Sequence, residues 1–253
     1  MIAQPGLAPR LTVVIPTLNA AKMLPRTVAA LFSGAAGWGT GLLRLVVVDG
    51  GSQDETTALL AALQSDESVG LDWLTSPVGR GQQLALGAER ALAGGADWLM
   101  FVHADSLLPP QWGALVADHC AHTPGAAGYF RLAFDLPPGA AERSAARRVE
   151  GLANRRARWC GLPYGDQGLL VSAAVYRAAG GYDPALPLME DVALVRRLRR
   201  QGIALRALEG TMLTDPARYQ RDGWWWRPIK NLGCLAAYTL GVPVEQIAAW
   251  YRR

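Results

Sequence analysis

A chain of 253 residues that is 51% hydrophobic and 18% charged can bury a sizeable core, which excludes a disordered or low-complexity protein. The formal charge of +4 is mildly basic, yet the arginines fall on helix-like segments (Arg143 to Arg158, Arg196 to Arg200) with no nucleic-acid module around them, so nucleic acid is not an expected partner. Cys120, Cys160 and Cys234 form no short-spaced pair, which argues against a zinc knuckle or a disulfide scaffold and fits a reducing, cytoplasmic setting.

The opening MIAQPGLAPR has neither the basic start nor the apolar core of a signal peptide. No apolar run approaches the ~20 residues that span a bilayer. The expectation is a cytoplasmic chain, at most peripheral at the inner face of the membrane.

Short β-branched runs then alternate with helical patterns. Leu11 to Ile15 reads as a strand, followed by a helix over 20–33; Leu43 to Val48 is a second strand, followed by a helix over about 53–64. Leu71 to Leu74 begins a third strand, with a helix over about 80–93, and Trp98 to Val102 is a fourth. Strands separated by helices in this way predict βαβ units and a mostly parallel sheet covered on both faces. Beyond residue 105 the pattern loosens. A helix near 110–120 leads to an alternating strand, Gly128 to Asp135, and an arginine-rich helix over 139–159. A polar loop (Gly161 to Gly168), a short apolar strand and a helix opened by Met189-Glu190-Asp191 follow, and the chain from Trp224 reads as an amphipathic helical tail. The simplest architecture is one α/β domain: a nucleotide-binding half at about 10–105, an acceptor half at about 106–223, and the tail at about 224–253.

In open parallel sheets, ligands bind outside the carboxyl ends of the strands. Those ends carry Pro16-Thr17-Leu18-Asn19, Asp49-Gly50-Gly51-Ser52 and His103-Ala104-Asp105. Thr17, Asn19, Asp49 and Ser52 are equally suited to capping the helices that follow and to contacting a nucleoside. Gly79-Arg80-Gly81-Gln82 opens a helix, where a cation and free amides suit phosphate. Asp105 closes a strand expected to be central, so it can cap a turn or offer one carboxylate to Mg²⁺ or Mn²⁺; His103 would suit Mn²⁺ better if it ligates directly. Glu190 and Asp191 start a helix, as its dipole favours. The apolar entry Pro187-Leu188-Met189 would partly desolvate Asp191, a condition for a usable general base. Tyr164-Gly165-Asp166-Gln167-Gly168 is an ordinary turn or an acceptor-side loop presenting Asp166 and Gln167. His119 and His122 read as surface or capping residues.

The segments VVIPTLNA, VVVDGGSQDET, GRGQQLALGA, FVHADS and PLMEDVALVRRL, in this order over residues 11 to about 200, resemble the family 2 glycosyltransferases of the GT-A fold. The variants HAD, GDQ and LMED, with the Trp- and Arg-rich tail, further resemble a bacterial subgroup labelled radical-SAM/selenodomain-associated transferases. The resemblance implies a nucleotide-diphosphosugar donor, a hydroxyl acceptor and inversion at the anomeric carbon. It would put Pro16, Thr17, Asn19 and Asp49 at the nucleoside, Arg80 at the diphosphate and Arg218-Tyr219 over the donor. Asp105 would be the last acid of an Asp-x-Asp metal motif holding Mn²⁺ or Mg²⁺, and Asp191 the catalytic base. The chain departs from the usual pattern at Ala20 (often Glu), Gly50 (often an acid) and His103 (the motif's first acid).

Two other functions compete. A sugar nucleotidyltransferase would carry a Gly-rich first loop with a basic residue after it, which Leu18-Asn19-Ala20-Ala21 does not supply. A non-catalytic scaffold would use Trp224-Trp225-Trp226-Arg227 at a membrane surface or a homodimer interface.

Overall fold

Alternate residues of the first two strands enter two different cores. The computed structural model describes residues 9–39, 41–66 and 70–252. In β1 (Leu11–Thr17) and β2 (Leu43–Asp49), Val13, Ile15, Leu45 and Val47 pack with Leu24, Val28 and Leu31 of α1 (Leu24–Ser33). Val14, Val46 and Val48 face the other way, onto Leu84, Ala88 and Ala91 of α3 (Arg80–Ala93). A strand's side chains alternate in direction, so a continuous β-branched run is what a sheet buried on both faces requires. α2 (Thr56–Gln64), β3 (Leu71–Thr75) and β4 (Trp98–Phe101) complete this half, with β3, β2, β1 and β4 adjacent and parallel.

Two contacts fasten α3 to the strand ends. The buried Gln83 side chain donates from Nε2 to the carbonyls of Thr17 (2.6 Å) and Val48 (2.8 Å), fixing β1 and β2 where their loops leave. Gly87 lies so near β1 that a Cβ would come within 2.4 Å of Val14 Cγ1.

The second half extends the same sheet with mixed polarity. β5 (Ser106–Leu107), α4 (Trp112–His122), β6 (Ala127–Phe134), α5 (Arg143–Cys160), β7 (Leu169–Ser172) and α6 (Ala173–Ala178) lead to α7 (Glu190–Arg200), β8 (Leu205–Thr214) and α8 (Ala217–Asp222). The order is β3-β2-β1-β4-β7-β6-β8-β5, with β7 antiparallel to β4 and β6, and β8 parallel to β6. The predicted strands and helices of both halves are present, with shifted ends. Strand β8 is not foreseen from sequence. Its register against β6 slips between Tyr129 and Arg131, opposite a stretch containing Gly210. A Cβ at Gly210 would meet Leu115 and Pro109 within 2.8 and 2.9 Å, so the glycine marks a bulge and a close approach.

The tail folds as two helices, α9 (Trp226–Thr239) and α10 (Val244–Arg252). They meet through Cys234, Ala237 and Ile247 and pack on Leu188 and Met189, just ahead of α7. No helix among the described residues is long and apolar enough to cross a membrane.

His119 corrects the sequence expectation. It is buried, edge-on to Trp98 at 6.0 Å between centroids, with Nε2 placed to donate to the Ala126 carbonyl at 3.2 Å. His122 is exposed and pairs with Asp118, as expected of a surface residue. Burial holds the His119 imidazole below its ordinary range, opposed by the bond to Ala126. The unfolded chain therefore takes up a proton near pH ~6.5 that the native state refuses, so this contribution to stability is full above that pH and declines below it. Thermal melts from pH 7.5 to 5.5 should show a steeper loss for the native chain than for His119→Gln; parallel curves would contradict this.

Candidate active site

The cleft outside β4 is built around one cation. Arg80, the first residue of α3, forms a 2.8 Å ion pair from Nε to Glu190 Oε1 and a 2.9 Å hydrogen bond from Nη1 to His103 Nε2. Guanidinium only donates, so Nε2 of His103 is the acceptor and its ring proton sits on Nδ1. Gly81 explains why Arg80 reaches Glu190. A Cβ there would lie 2.8 Å from the carbonyl oxygens of Asp183 and Leu186, so only glycine lets α3 abut the loop leading into α7. Burial works against the Arg80 charge, but Glu190, Asp191 and Asp105 outweigh it and raise its pKa further. Burial raises the Glu190 carboxyl above its usual range, opposed by Arg80. Burial, with the Arg80 and Arg218 cations, holds His103 well below its ordinary value, so the ring is neutral.

Asp191, the second residue of α7, is gripped from two sides. Oδ2 accepts the Gly165 N–H at 3.1 Å and Oδ1 accepts the Tyr182 hydroxyl at 3.1 Å. Burial, then the Asp191 charge, pushes the Tyr182 phenol well above its ordinary pKa, which keeps it a donor. Two donors on a carboxylate with about four lone-pair sites leave capacity toward the cleft that Asp191 lines. Gly165 is wedged between Asp191 and His103: a Cβ would be 2.5 Å from both Asp191 Oδ2 and His103 Nε2.

Asp105 also lines the cleft, and its Oδ1 takes only a long 3.5 Å bond from Ser106. Asp166 lines the cleft as well; its Oδ1 is buried without a hydrogen-bond partner among the described residues, and burial, opposed by Arg156, raises its carboxyl pKa. Arg218 and Tyr219 also line the cleft, as do Arg227, Asn231 and Tyr251 from the C-terminal helices.

Other expected residues lie elsewhere. Thr17, Asn19, Asp49 and Ser52 lace the β1 and β2 loops to one another. Asp49, 1% exposed, accepts from the N–H groups of Gly51 (3.0 Å) and Ser52 (2.9 Å), from the Ser52 hydroxyl, and from Thr17 Oγ1 at 3.2 Å. That fills its acceptor capacity, so its carboxylate is spent on shaping the turn. Asn19, with φ 52°, accepts the Gln53 N–H at 2.8 Å and donates its own N–H to Ser52 Oγ at 2.8 Å. Pro16 precedes them within β1. Gln167 points inward, fully buried, donating to the Phe130 carbonyl at 3.2 Å and accepting from Tyr164 N–H at 3.3 Å. It braces the loop instead of lining the cleft. Sequence reasoning missed the roles of Gly165 and Tyr182, and of the cleft residues Arg227, Asn231 and Tyr251. Gly165 had a signal in the Tyr-Gly-Asp-Gln-Gly loop; Tyr182 had none.

Gly165→Ala should displace Asp191 or break the Arg80–His103 contact. Turnover should fall by on the order of 10²-fold, the size of effect expected of an ångström-scale misplacement, and circular dichroism should stay native. Unchanged turnover would show that the wedge is dispensable.

The matched model for Glycosyl transferase family 2 spans residues 12–175. No sequence among curated proteins matches the chain. Among solved structures, residues 1–349 of S. aureus TarS align at TM-score 0.59 and 13% identity, covering 96% of this chain and 70% of that one. The mannosyltransferase PcManGT from Pyrobaculum calidifontis, in complex with GDP-Man and Mn²⁺, aligns at TM-score 0.56 and 16% identity, over 83% of this chain and 57% of that one. GalNAc-T7 with UDP, GalNAc and Mn²⁺ aligns at 0.61 and 13%, over 84% and 44%. At these identities the structures establish the fold, a GT-A-like mixed sheet flanked by helices, and the matched model covers more than half of the chain. The chain belongs to glycosyl transferase family 2.

Proposed function

We propose that the chain is an inverting glycosyltransferase that moves a sugar from a nucleotide-diphosphate donor to an acceptor hydroxyl, with Asp191 as general base. The observation that carries this reading is the grip on Asp191: one oxygen held by Gly165 N–H and the other by Tyr182, in a cleft that also contains Arg80 and Asp105. In the proposed reaction Asp191 takes the proton of the acceptor hydroxyl as that oxygen forms a bond to the anomeric carbon. The bond from that carbon to the donor phosphate oxygen breaks on the opposite face. The nucleoside diphosphate leaves with the electron pair, and configuration inverts. Charge grows on the leaving diphosphate, where a fixed cation is worth most. Arg80, locked by Glu190 and His103, is the side chain suited to meet it, and Arg218, which also lines the cleft, is a second.

A divalent ion fits Asp105 as a single-carboxylate site. Its oxygens are almost free of internal partners, and Mg²⁺ or Mn²⁺ beside phosphates needs only one or two carboxylates. Among the described residues there is no cluster of three or more ligating side chains, so donor phosphates and water would complete the shell. When bound, such an ion supplies neutralisation of diphosphate charge. His103, with Nε2 on Arg80, reads as an orienter of that arginine. PcManGT and GalNAc-T7, each solved with Mn²⁺, support a metal of this kind, and TarS in complex with UDP-GlcNAc supports the donor class. Asp166 is assigned to the acceptor side and the Thr17-to-Ser52 loops to the nucleoside. The subgroup resemblance rests on the HAD, GDQ and LMED variants and the Trp- and Arg-rich tail.

Asp191→Asn should lower turnover by about 10²–10⁴-fold, the range of general-base catalysis, with donor affinity by calorimetry nearly unchanged. Loss of donor binding instead would remove the base assignment. Asp105→Ala should abolish the metal dependence of donor binding, and a retained dependence would take Asp105 out of the site.

A further inference from the structure

The outer face of the C-terminal helices is apolar and has no partner among the described residues. Successive residues of a helix are ~100° apart, which sets Trp226, Ile229, Leu232 and Ala236 along one side of α9, with Leu240 just beyond. Trp226 is 73% exposed, Ile229 55%, Leu232 66% and Leu240 84%. Trp225, 66% exposed, extends the stripe toward α5, because the guanidinium of Arg148 lies 4.5 Å from its ring. The exposed side of α5 continues with Leu152, Arg155 and Trp159 at helical spacing, Trp159 being 74% exposed. Trp224 is different: it packs on Phe134 and Tyr219.

Along α9 and the exposed side of α5 the charge has one sign. No acidic residue occurs between Asp222 and Glu245. Glu150, the acid within α5, turns inward to accept the Phe134 N–H. Beside Trp226 a cleft gathers Arg221, Lys230 and Arg252, and its Asp222 is occupied by Arg221 and Arg227 at 2.7 and 2.8 Å.

We propose that this face docks the enzyme on an anionic phospholipid bilayer. Trp225, Trp226 and Trp159 would sit at headgroup level, Ile229, Leu232 and Leu240 would enter the acyl boundary, and the Lys230–Arg252 cleft would take a lipid phosphate. Tryptophan beside arginine around an apolar stripe is the composition of an interfacial helix, and basic residues at its edge select anionic lipid. A second copy of the chain fits less well. A two-fold contact would set Arg148, Arg155 and Lys230 near their own copies, whereas an anionic surface complements them.

The test is co-sedimentation of the full chain with vesicles of phosphatidylglycerol and phosphatidylcholine mixed, or of phosphatidylcholine alone. Binding to the anionic vesicles should be at least ~10-fold tighter and should weaken with salt. Trp226→Ser with Leu232→Ser, and separately Arg148→Glu with Arg155→Glu, should each weaken it by on the order of 10-fold, with native thermal midpoints and turnover of a soluble acceptor retained. No binding to anionic vesicles overturns the proposal, as does binding that neither double variant alters. Sedimentation velocity supplies the other outcome: a dimer lost in Trp226→Ser with Leu232→Ser, without vesicle binding, would assign the face to a second copy. None of these results depends on whether Asp191 is the base.

Discussion

The site depends on a part-buried cation, its side chain 30% exposed, shared by three elements. Arg80 opens α3, Glu190 opens α7 and His103 follows β4, and the guanidinium holds all three within hydrogen-bond distance. Removing one partner of such a pair leaves the other charged in a poorly solvated place, which is far more costly than the pair is stabilising. The ion pair ties the start of α3 to the start of α7, the helix that carries Asp191, and an added carbon would clash at Gly81 with the loop before α7 and at Gly165 with Asp191 and His103.

The C-terminal helices serve the same geometry from outside. Met189 adopts a left-handed conformation, φ 65°, immediately before Glu190. For a residue with a long side chain that costs roughly 1–2 kcal/mol, and it is sustained by packing against the Cys234, Ala237 and Ile247 cluster. The kink lets α7 start with Glu190 and Asp191 at its N-terminus, where the helix dipole favours carboxylates. The same two helices lend Arg227, Asn231 and Tyr251 to the cleft lining. Their inner faces complete the cleft, while their outer faces carry the exposed tryptophans.

Much of this was legible in the sequence, for physical reasons that differ by region. Strands β1, β2 and β4 carry near-continuous apolar runs because both of their faces are covered, and their pattern survives without tertiary context, whereas the edge strand β3 is half-exposed and carries Asp72. Strand β8 was hidden because a bulge at Gly210 interrupts its alternation, and β5 is two residues long. Arg80, Asp105, Glu190 and Asp191 were picked out one by one, and the fold brings them into one cleft. Asp49 and Gln167 have the right chemistry in the right loops, yet their side chains are consumed in bracing those loops. Local sequence cannot distinguish a carboxylate that faces a ligand from one that closes its own turn. Tyr182 was invisible because its importance lies in the direction of one hydroxyl, which the packing of Phe101 and Tyr176 around its ring decides.

The most direct measurement is a thermal-shift titration of the native chain with UDP, GDP, CDP and ADP, each with and without Mn²⁺. A nucleotide-sugar transferase should be stabilised preferentially by one base, and more strongly with the metal present, since only the native state binds. A chain whose melting is indifferent to all four nucleotides, with or without the ion, would contradict the donor class on which the proposed reaction rests.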